Sequence, residues 1–231
     1  MIGFRKVVEI TSKKLKKPMG SVSRLQAREI IETSYLAAAS ALIWVALYYL
    51  PIGGALFRLV LPLPLTFLQV RRNSRVGLEG VVLSVLLLVA LMGPVRGPLM
   101  LFPYGLLALW LGWSWRRGIS WWFSWGVGVF IGTTGFLVRV AVLSLLVGEN
   151  LWVVITRAGS AFLDGFLDLF HIPLAPALLE VQLMALALIV LQELVYVLAL
   201  HALAFWLFPR LNVEIPDPPR LLYGLVVLDP F

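Results

Sequence analysis

The chain has 231 residues, of which 61% are hydrophobic and only 13% are charged. A soluble domain of this length would carry about a quarter charged residues, so the composition excludes a typical water-soluble enzyme. The chain contains no cysteine, which excludes disulfides, thiolate catalysis and zinc–thiolate or iron–sulfur sites built from cysteine. The composition therefore indicates an integral membrane protein.

The N-terminal segment, residues 1–33, is rich in lysine and arginine and has no apolar stretch typical of a signal peptide. We interpret it as a basic cytoplasmic segment whose last part is helical. The hydrophobic pattern then predicts a membrane domain over residues 34–208, followed by a proline-rich cytoplasmic tail over residues 209–231. The tail ends in an apolar run that can dock either on the membrane or on a partner.

Within the membrane domain, the pattern predicts an all-α bundle of about six membrane-spanning helices. Each helix needs about 20 apolar residues to cross the hydrocarbon core. The second candidate contains Arg58 and two prolines, so we expect it to be irregular and surrounded by protein. The predicted spans are 34–50, 54–70, 77–94, 98–115, 120–147 and 176–208.

The distribution of positive charge predicts the orientation of this bundle. With the N-terminus inside, 15 of the 19 lysine and arginine residues fall in cytoplasmic segments, and only two fall in outer segments. This asymmetry favours six spans with both termini in the cytoplasm. Tryptophans also bracket the Arg116–Arg117 turn, where indole rings favour a membrane interface.

Residues 154–171 form an amphipathic stretch that we expect to lie as a cap near the outer surface. Asp164, Asp168 and His171 share one face of it with the spacing of a divalent-cation site, but a solvated polar face explains the same pattern. We therefore predict no metal and no cofactor. No phosphate-binding loop, nucleophile elbow or other enzyme motif is present, so we predict that the chain is not an enzyme.

Charged residues inside the spans are costly in lipid and are therefore functional candidates. Arg58, Arg139 and Glu180 are predicted to meet at one depth below the outer face, joined by Arg157 or Asp164 of the cap. Two guanidinium groups and one carboxylate can receive a small polar or anionic ligand. An internal ion pair between Arg139 and Glu180 is the alternative explanation.

A second polar set lies deeper in the last span, at Glu193, Tyr196 and His201. These residues can form a proton relay, or they can fix the helix in the bundle by hydrogen bonds. In the first span, Ala37 and Ala41 have the spacing of a small-residue contact strip, which suits either the internal core or docking on another membrane subunit. Gly128, Gly132 and Gly135 predict close helix packing in the fifth span.

Several segments carry a resemblance to a known family. They include Leu61-Pro62-Leu63-Pro64, Pro103-Tyr104-Gly105-Leu106-Leu107, Trp115-Arg116-Arg117-Gly118 and Gly148-Glu149-Asn150-Leu151-Trp152. On these segments the chain resembles the YybS-like family of bacterial membrane proteins, in particular its cyanobacterial branch. That family is similar to the S components of energy-coupling factor transporters, which capture micronutrients near the outer face.

The resemblance implies a function and a set of partners. An S component docks on a transmembrane coupling subunit and two ATPases, and Ala37 and Ala41 would form that docking site. Residues 51–57 would be the loop that covers the pocket, and Arg58, Arg139 and Glu180 would lie where substrate is held. The resemblance also implies a location in the plasma membrane or the thylakoid.

The alternative function is an assembly or scaffold factor of a larger membrane complex that uses the same fold without transport. Its basic N-terminal segment would contact anionic lipid or an acidic partner, and its tail would be the attachment peptide. Nothing in the sequence indicates a nucleic-acid partner.

Overall fold

The computed structural model describes residues 24–51, 53–169 and 177–219. The side chains of residues 24–25, 162–164 and 166–169 lie outside this description, as do Phe170 and His171 of the predicted cap. The chain divides into two compact units, Met1–Glu32 and Thr33–Phe231. In the first unit, the described residues are helical; the remainder of the fold concerns the second unit.

The described regular structure is entirely helical, as the composition predicts. Eight α-helices follow one another along these residues, and a 3₁₀-helix (Pro98–Met100) and a π-helical turn (Leu101–Gly105) connect the fourth to the fifth. The helices are α1 (Arg24–Tyr49), α2 (Gly54–Val60), α3 (Leu63–Arg71), α4 (Ser74–Arg96), α5 (Leu106–Arg116), α6 (Trp121–Val147), α7 (Leu151–Leu169) and α8 (Leu178–Leu207).

Five stretches of the described residues are long and apolar enough to cross a membrane, which makes this chain an integral multi-pass membrane protein. Four of them are the continuous helices α1, α4, α6 and α8, and the fifth is the α2–α3 pair. At 30 residues, α8 extends for about 45 Å and exceeds the ~30 Å hydrocarbon core.

The second predicted span is broken, as expected from its prolines. Helix α2 ends at Val60, and α3 begins at Leu63 directly after Pro62. Leu61 and Leu63 are buried, so protein surrounds the interrupted backbone rather than lipid. The predicted covering loop 51–57 is partly wrong, because its second half already belongs to α2.

The fourth predicted span, 98–115, is not one continuous helix, and that part of the prediction is wrong. Only its second half is α-helical, because Pro98 and Pro103 interrupt the hydrogen-bond pattern of its first half. The segment nevertheless runs antiparallel to α4. A Cβ added to Gly97 would lie 2.6 Å from the Val89 nitrogen, and one added to Gly105 would lie 3.2 Å from the side chain of Val81.

Helices α6 and α8 continue this antiparallel arrangement. The indole nitrogen of Trp110 in α5 donates to the carbonyl of Ser124 at the start of α6 (3.0 Å). The indole nitrogen of Trp125 then donates to the carbonyl of Leu194 in α8 (3.1 Å). A broken segment thus completes the bundle between α4 and α6, in the place where the sequence predicts the fourth span.

The glycines of α6 permit this close packing, and the prediction made for them is confirmed. A Cβ at Gly128 would lie 2.9 Å from Val197 of α8, and one at Gly135 would lie 2.6 Å from Pro103. A Cβ at Gly132 would likewise lie too close to the carboxylate of Glu193 in α8. Without side chains at these positions, α6 approaches both of its neighbours closely.

Two of the basic turns lie side by side at one end of the bundle. The guanidinium of Arg116 donates to the backbone carbonyl of Arg72, which places the end of α5 beside the end of α3. The tail packs on the start of α6, where the indole nitrogen of Trp121 donates to the carbonyl of Pro216 (3.1 Å) and Val213 is buried. The first part of the tail therefore packs on its own chain.

The predicted cap corresponds to α7, which begins at Leu151, three residues before the predicted boundary. It is the most amphipathic of the long helices, in agreement with the sequence pattern. The hydroxyl of Ser144 at the end of α6 accepts a hydrogen bond from the Leu151 backbone nitrogen (3.0 Å) and so ties the two helices together.

Candidate functional site

The polar residues inside the bundle fall into two separate groups. The first, which we call the arginine cluster, contains Arg58, Arg139, Glu193 and Tyr196, together with Gln192, Trp44, Tyr48 and Tyr104. The second, the histidine cluster, contains His201, Ser124 and Ser114.

Arg58 is the centre of the arginine cluster. Its Nη2 lies 3.1 Å from Oε1 of Glu193, and the carboxylate side chain is only 1% exposed. The amide of Gln192, oriented to satisfy both partners, accepts from Nη1 and Nη2 of Arg58 at 2.7 and 2.8 Å. An arginine paired in this way is tolerated inside a membrane bundle because both charges are neutralised within hydrogen-bond distance.

Tyr196 contacts Arg58 through both its hydroxyl group and its ring. Its hydroxyl donates to the backbone carbonyl of Arg58 (2.9 Å), and the guanidinium carbon lies 5.4 Å from the centre of its ring. The carbonyl that Tyr196 satisfies is near the break after Val60, where the helical hydrogen-bond pattern ends. The side chain of Tyr196 thus stabilises both the backbone carbonyl and the guanidinium group of Arg58.

Gly132 makes room for the carboxylate of Glu193. A Cβ at this position of α6 would meet Oε2 of Glu193 well inside van der Waals distance. That oxygen is buried and accepts no hydrogen bond from the described residues. Only one of the two carboxylate oxygens is therefore used in the Arg58 pair.

Arg139 has a different environment from Arg58. Its Nη2 donates to the hydroxyl of Tyr48 (2.8 Å), and its guanidinium carbon lies 5.4 Å from the ring of Trp44. Among the described residues, no carboxylate lies within 4.0 Å of this guanidinium. Arg139 is therefore a cation held by aromatic rings without an acidic partner.

A chain of aromatic rings connects the two arginines. The Trp44 ring lies 5.6 Å from the Tyr104 ring, which lies 6.4 Å from the Tyr196 ring. Tyr104 thus lies between Trp44, which contacts Arg139, and Tyr196, which contacts Arg58. With two guanidinium groups and one carboxylate, the cluster has a net charge of +1 and apolar walls.

A groove reaches this cluster from the surface between α2 and α8. It has a volume of about 690 Å³ and is lined by Leu47, Gly54, Ala55, Arg58, Leu188, Leu191, Gln192, Val195 and Tyr196. Pockets of about 300–1,000 Å³ are typical of small-molecule sites. Arg58 thus belongs both to the internal ion pair and to the wall of an open groove.

The structure brings together only part of the predicted ligand site. Arg58 and Arg139 lie in the arginine cluster, but the carboxylate beside them is Glu193 and not Glu180. Glu180 instead caps the start of α8, where its Oε2 accepts from the backbone nitrogen of Ala177 (3.1 Å). The predicted alternative, an Arg139–Glu180 ion pair, is wrong for the same reason.

Arg157 also lies apart from the arginine cluster. It is an exposed residue of α7, and no side-chain contact joins it to Arg58 or Arg139 within the described part of the chain. The prediction that it joins these residues is wrong.

Ala37 and Ala41 are buried within the chain itself, with 0% and 1% of their surface exposed. The hydroxyl of Ser84 in α4 donates to the carbonyl of Ala37 (3.1 Å), which requires close contact between α1 and α4. The small residues therefore serve the internal core, one of the two predicted uses. As a docking surface for another subunit the prediction is wrong, because both alanines are already buried within this chain.

The second predicted polar set divides between the two clusters. Glu193 and Tyr196 both contact Arg58, whereas His201 lies two turns further along α8 in the histidine cluster. His201 Nδ1 lies 2.8 Å from the Val197 carbonyl, and its Nε2 lies 3.1 Å from the Ser124 hydroxyl. Since a carbonyl only accepts, Nδ1 carries the proton of the neutral ring, and Nε2 accepts from Ser124.

Sequence analysis missed Gln192, Trp44, Tyr48 and Tyr104 as parts of the site. Gln192 directly precedes Glu193, so its polarity inside a span was a usable signal. The three aromatic residues gave no such signal, because aromatic residues are common both in cores and at membrane interfaces.

The described residues contain no group of three or more His, Asp or Glu side chains that can hold a metal ion. The predicted alternative at Asp164, Asp168 and His171 lies outside the described side chains. The arginine cluster offers two hydrogen-bonding cations, one carboxylate and aromatic rings.

Comparison with protein families gives a match within the membrane domain of the chain. The model of the family described as predicted membrane protein (DUF2232) matches residues 37–172, which is more than half of the chain. The chain belongs to this family. Neither the curated proteins nor the solved structures contain a match to it.

Proposed function

We propose that this membrane protein binds a small anionic ligand at the arginine cluster, as the substrate-binding subunit of a micronutrient uptake transporter. The observation that carries the proposal is Arg139, a partly buried cation on a membrane-spanning helix that has no carboxylate partner among the described residues. A charge in this setting is costly unless an opposite charge approaches it. A ligand with one negative charge would neutralise the net charge of the cluster.

The residues of the cluster would divide the work of binding. Arg139 supplies the attraction for the anion, and the Trp44 ring lies beside its guanidinium with Tyr104 packed edge-on against Trp44. Arg58 is held in place by Glu193 and Gln192, so its remaining donors are oriented before the ligand arrives. In this proposal the protein performs no reaction, and ATP hydrolysis belongs to a coupling subunit and ATPases that bind to it.

The test is to purify the protein in a mild detergent and identify co-purifying small molecules and proteins by mass spectrometry. The variants compared are wild type, Arg139→Gln and the control Arg117→Gln. Arg117 is a matched control because its guanidinium also stacks on a tryptophan, at 4.7 Å from the Trp113 ring, but outside the cluster. We expect an anionic metabolite with the wild type and the control, and about a tenfold or greater loss with Arg139→Gln.

A metabolite that stays bound at the wild-type level in Arg139→Gln would overturn the ligand site. Recovery of ATPases together with the metabolite would support the transport role. Recovery of a large membrane complex without any metabolite would favour the alternative function, an assembly factor. That alternative needs a different attachment from the first part of the tail, since residues up to Pro216 pack on α6 of the same chain.

A further inference from the structure

We infer that the ligand of the arginine cluster is a single-chain amphiphile with an anionic head, which enters sideways from the bilayer through the groove between α2 and α8. The inference rests on the proposed function and adds to it the class of ligand and its route. The apolar groove, the exposure of its walls and the partly exposed arginine at its base support it independently of one another.

The walls of the groove face the lipid. Leu188, Leu191 and Val195 lie along one side of α8 and are 54%, 56% and 61% exposed. All three lie in the central part of a 30-residue membrane-spanning helix, where the surrounding medium is hydrocarbon. A ligand that occupies this groove therefore exchanges with lipid chains rather than with water.

The opposite wall is open because its residues are small. Gly54 and Ala55 begin α2, and neither fills the space beside Leu47. The lining of the groove is mostly apolar and its volume is about 690 Å³, which suits a single hydrocarbon chain.

The base of the groove is polar and positively charged. Arg58, Gln192 and Tyr196 line it, and the side chain of Arg58 is 29% exposed. An accessible guanidinium attracts a carboxylate or phosphate oxygen. The net charge of +1 in the arginine cluster favours an anionic head.

A second groove in the same bundle has a similar volume but, among the described residues, no cationic side chain in its lining. It lies between α6 and α7, has a similar volume of about 660 Å³ and includes Ala141 and Glu149 in its lining. Among the described residues that line it there is no arginine or lysine, and the one that is charged is acidic. It therefore offers an apolar surface of similar size without a binding site for an anion, and serves as an internal control.

The inference is tested by photo-crosslinking in lipid nanodiscs with a palmitic acid that carries a diazirine on its chain. Crosslinked peptides are identified by mass spectrometry in wild type, Ala55→Trp and Ala141→Trp. Both alanines are exposed on lipid-facing helices, so both variants are expected to fold, but only the first fills the groove at Arg58.

We expect saturable labelling of residues around 54–58 and 186–196. Excess palmitate should suppress it, whereas its uncharged methyl ester should compete about tenfold less well. Ala55→Trp should reduce the labelling about tenfold, and Ala141→Trp should leave it unchanged. Uniform labelling of all lipid-facing helices, or undiminished labelling of Ala55→Trp, would overturn the inference. Equal competition by a two-chain anionic phospholipid would overturn the single-chain class.

Arg139→Gln separates this inference from the proposed function. Loss of a water-soluble metabolite in that variant, together with no saturable labelling of the groove, would overturn the amphiphile and leave the binding function intact. Saturable labelling that is the same with and without Arg139 would instead contradict the proposed role of Arg139 and retain a lipid groove at Arg58.

Discussion

The two polar clusters lie on the same helix, α8, and differ in how completely their hydrogen bonds are satisfied. In the histidine cluster both ring nitrogens of His201 have partners, and the rings of Trp115 and Trp121 cover the imidazole at 5.2 and 4.9 Å. In the arginine cluster, Nε of Arg58 and Oε2 of Glu193 are buried without partners among the described residues. A fully satisfied network fixes a fold, whereas the arginine cluster keeps buried polar atoms that the surrounding described side chains do not satisfy.

The largest expected effect tests whether the Arg58–Glu193 pair holds the bundle together. Arg58→Met leaves a buried carboxylate without its cation, and we expect a loss of about 3–5 kcal/mol in the free energy of unfolding. The double variant Arg58→Met with Glu193→Leu removes both charges and should recover most of this loss. Denaturant titration in detergent measures both, and an equal loss in both variants would show that the pair itself does not determine stability.

The next prediction concerns the contact between α6 and α8. Gly132→Ala places a methyl group against Oε2 of Glu193, so the carboxylate must move, and we expect a loss of about 1–3 kcal/mol. Gly126→Ala on the same helix meets nothing within 4 Å and should gain up to about 1 kcal/mol from helix propensity.

These two alanine variants are compared by thermal unfolding in the same detergent. Equal stability of the two would contradict the close approach of α6 to Glu193. Weakened ligand binding in Gly132→Ala alone would connect this packing to the site.

The third prediction tests the histidine cluster as a structural element. Ser124→Ala removes the partner of His201 Nε2 and also a contact of Ser114 at 2.8 Å, with an expected loss of about 1–3 kcal/mol. Binding at the arginine cluster should be unchanged. Thr134→Ala, an exposed position of α6, is the control and should be neutral. Reduced ligand binding in Ser124→Ala would show that the two clusters are coupled.

The smallest expected effect concerns a pair outside both clusters. Arg75 and Glu79 lie 3.0 Å apart as an i,i+4 pair on α4, with side chains 88% and 53% exposed. Glu79→Gln should change the unfolding free energy by only about 0.2–0.5 kcal/mol, and salt should reduce the difference further. A loss as large as that of Ser124→Ala would show that this turn is more buried in the membrane-bound protein.

Much of the fold follows from the sequence. Long apolar runs determined the helices α1, α4, α6 and α8, since only a helix satisfies the backbone in hydrocarbon. The glycines of α6 correctly indicated close packing, and the prolines near Leu61 correctly indicated a break. The fourth span was predicted as a continuous helix because its hydropathy is that of a helix, although Pro98 and Pro103 prevent one.

The site was only partly predictable. The free-energy cost of placing a charge in lipid identifies candidate residues, but it does not show which of these residues form ion pairs with one another. Arg58, Arg139 and Glu193 all stood out in the sequence as charges inside spans. The depth of each residue, counted from the ends of the spans, predicts that Glu180 lies beside the two arginines. In the structure Glu180 instead caps the start of α8.

The sequence by itself determined that this protein lies in a membrane, which segments are helical and which charges are costly there. Those properties depend on composition and on local periodicity along the chain. The tertiary structure decided that Arg58 pairs with Glu193, that Trp44 and Tyr48 hold Arg139, and that Ala37 and Ala41 are buried in the core. These contacts join residues far apart in sequence, and they depend on the rotation and register of each helix, which packing alone sets.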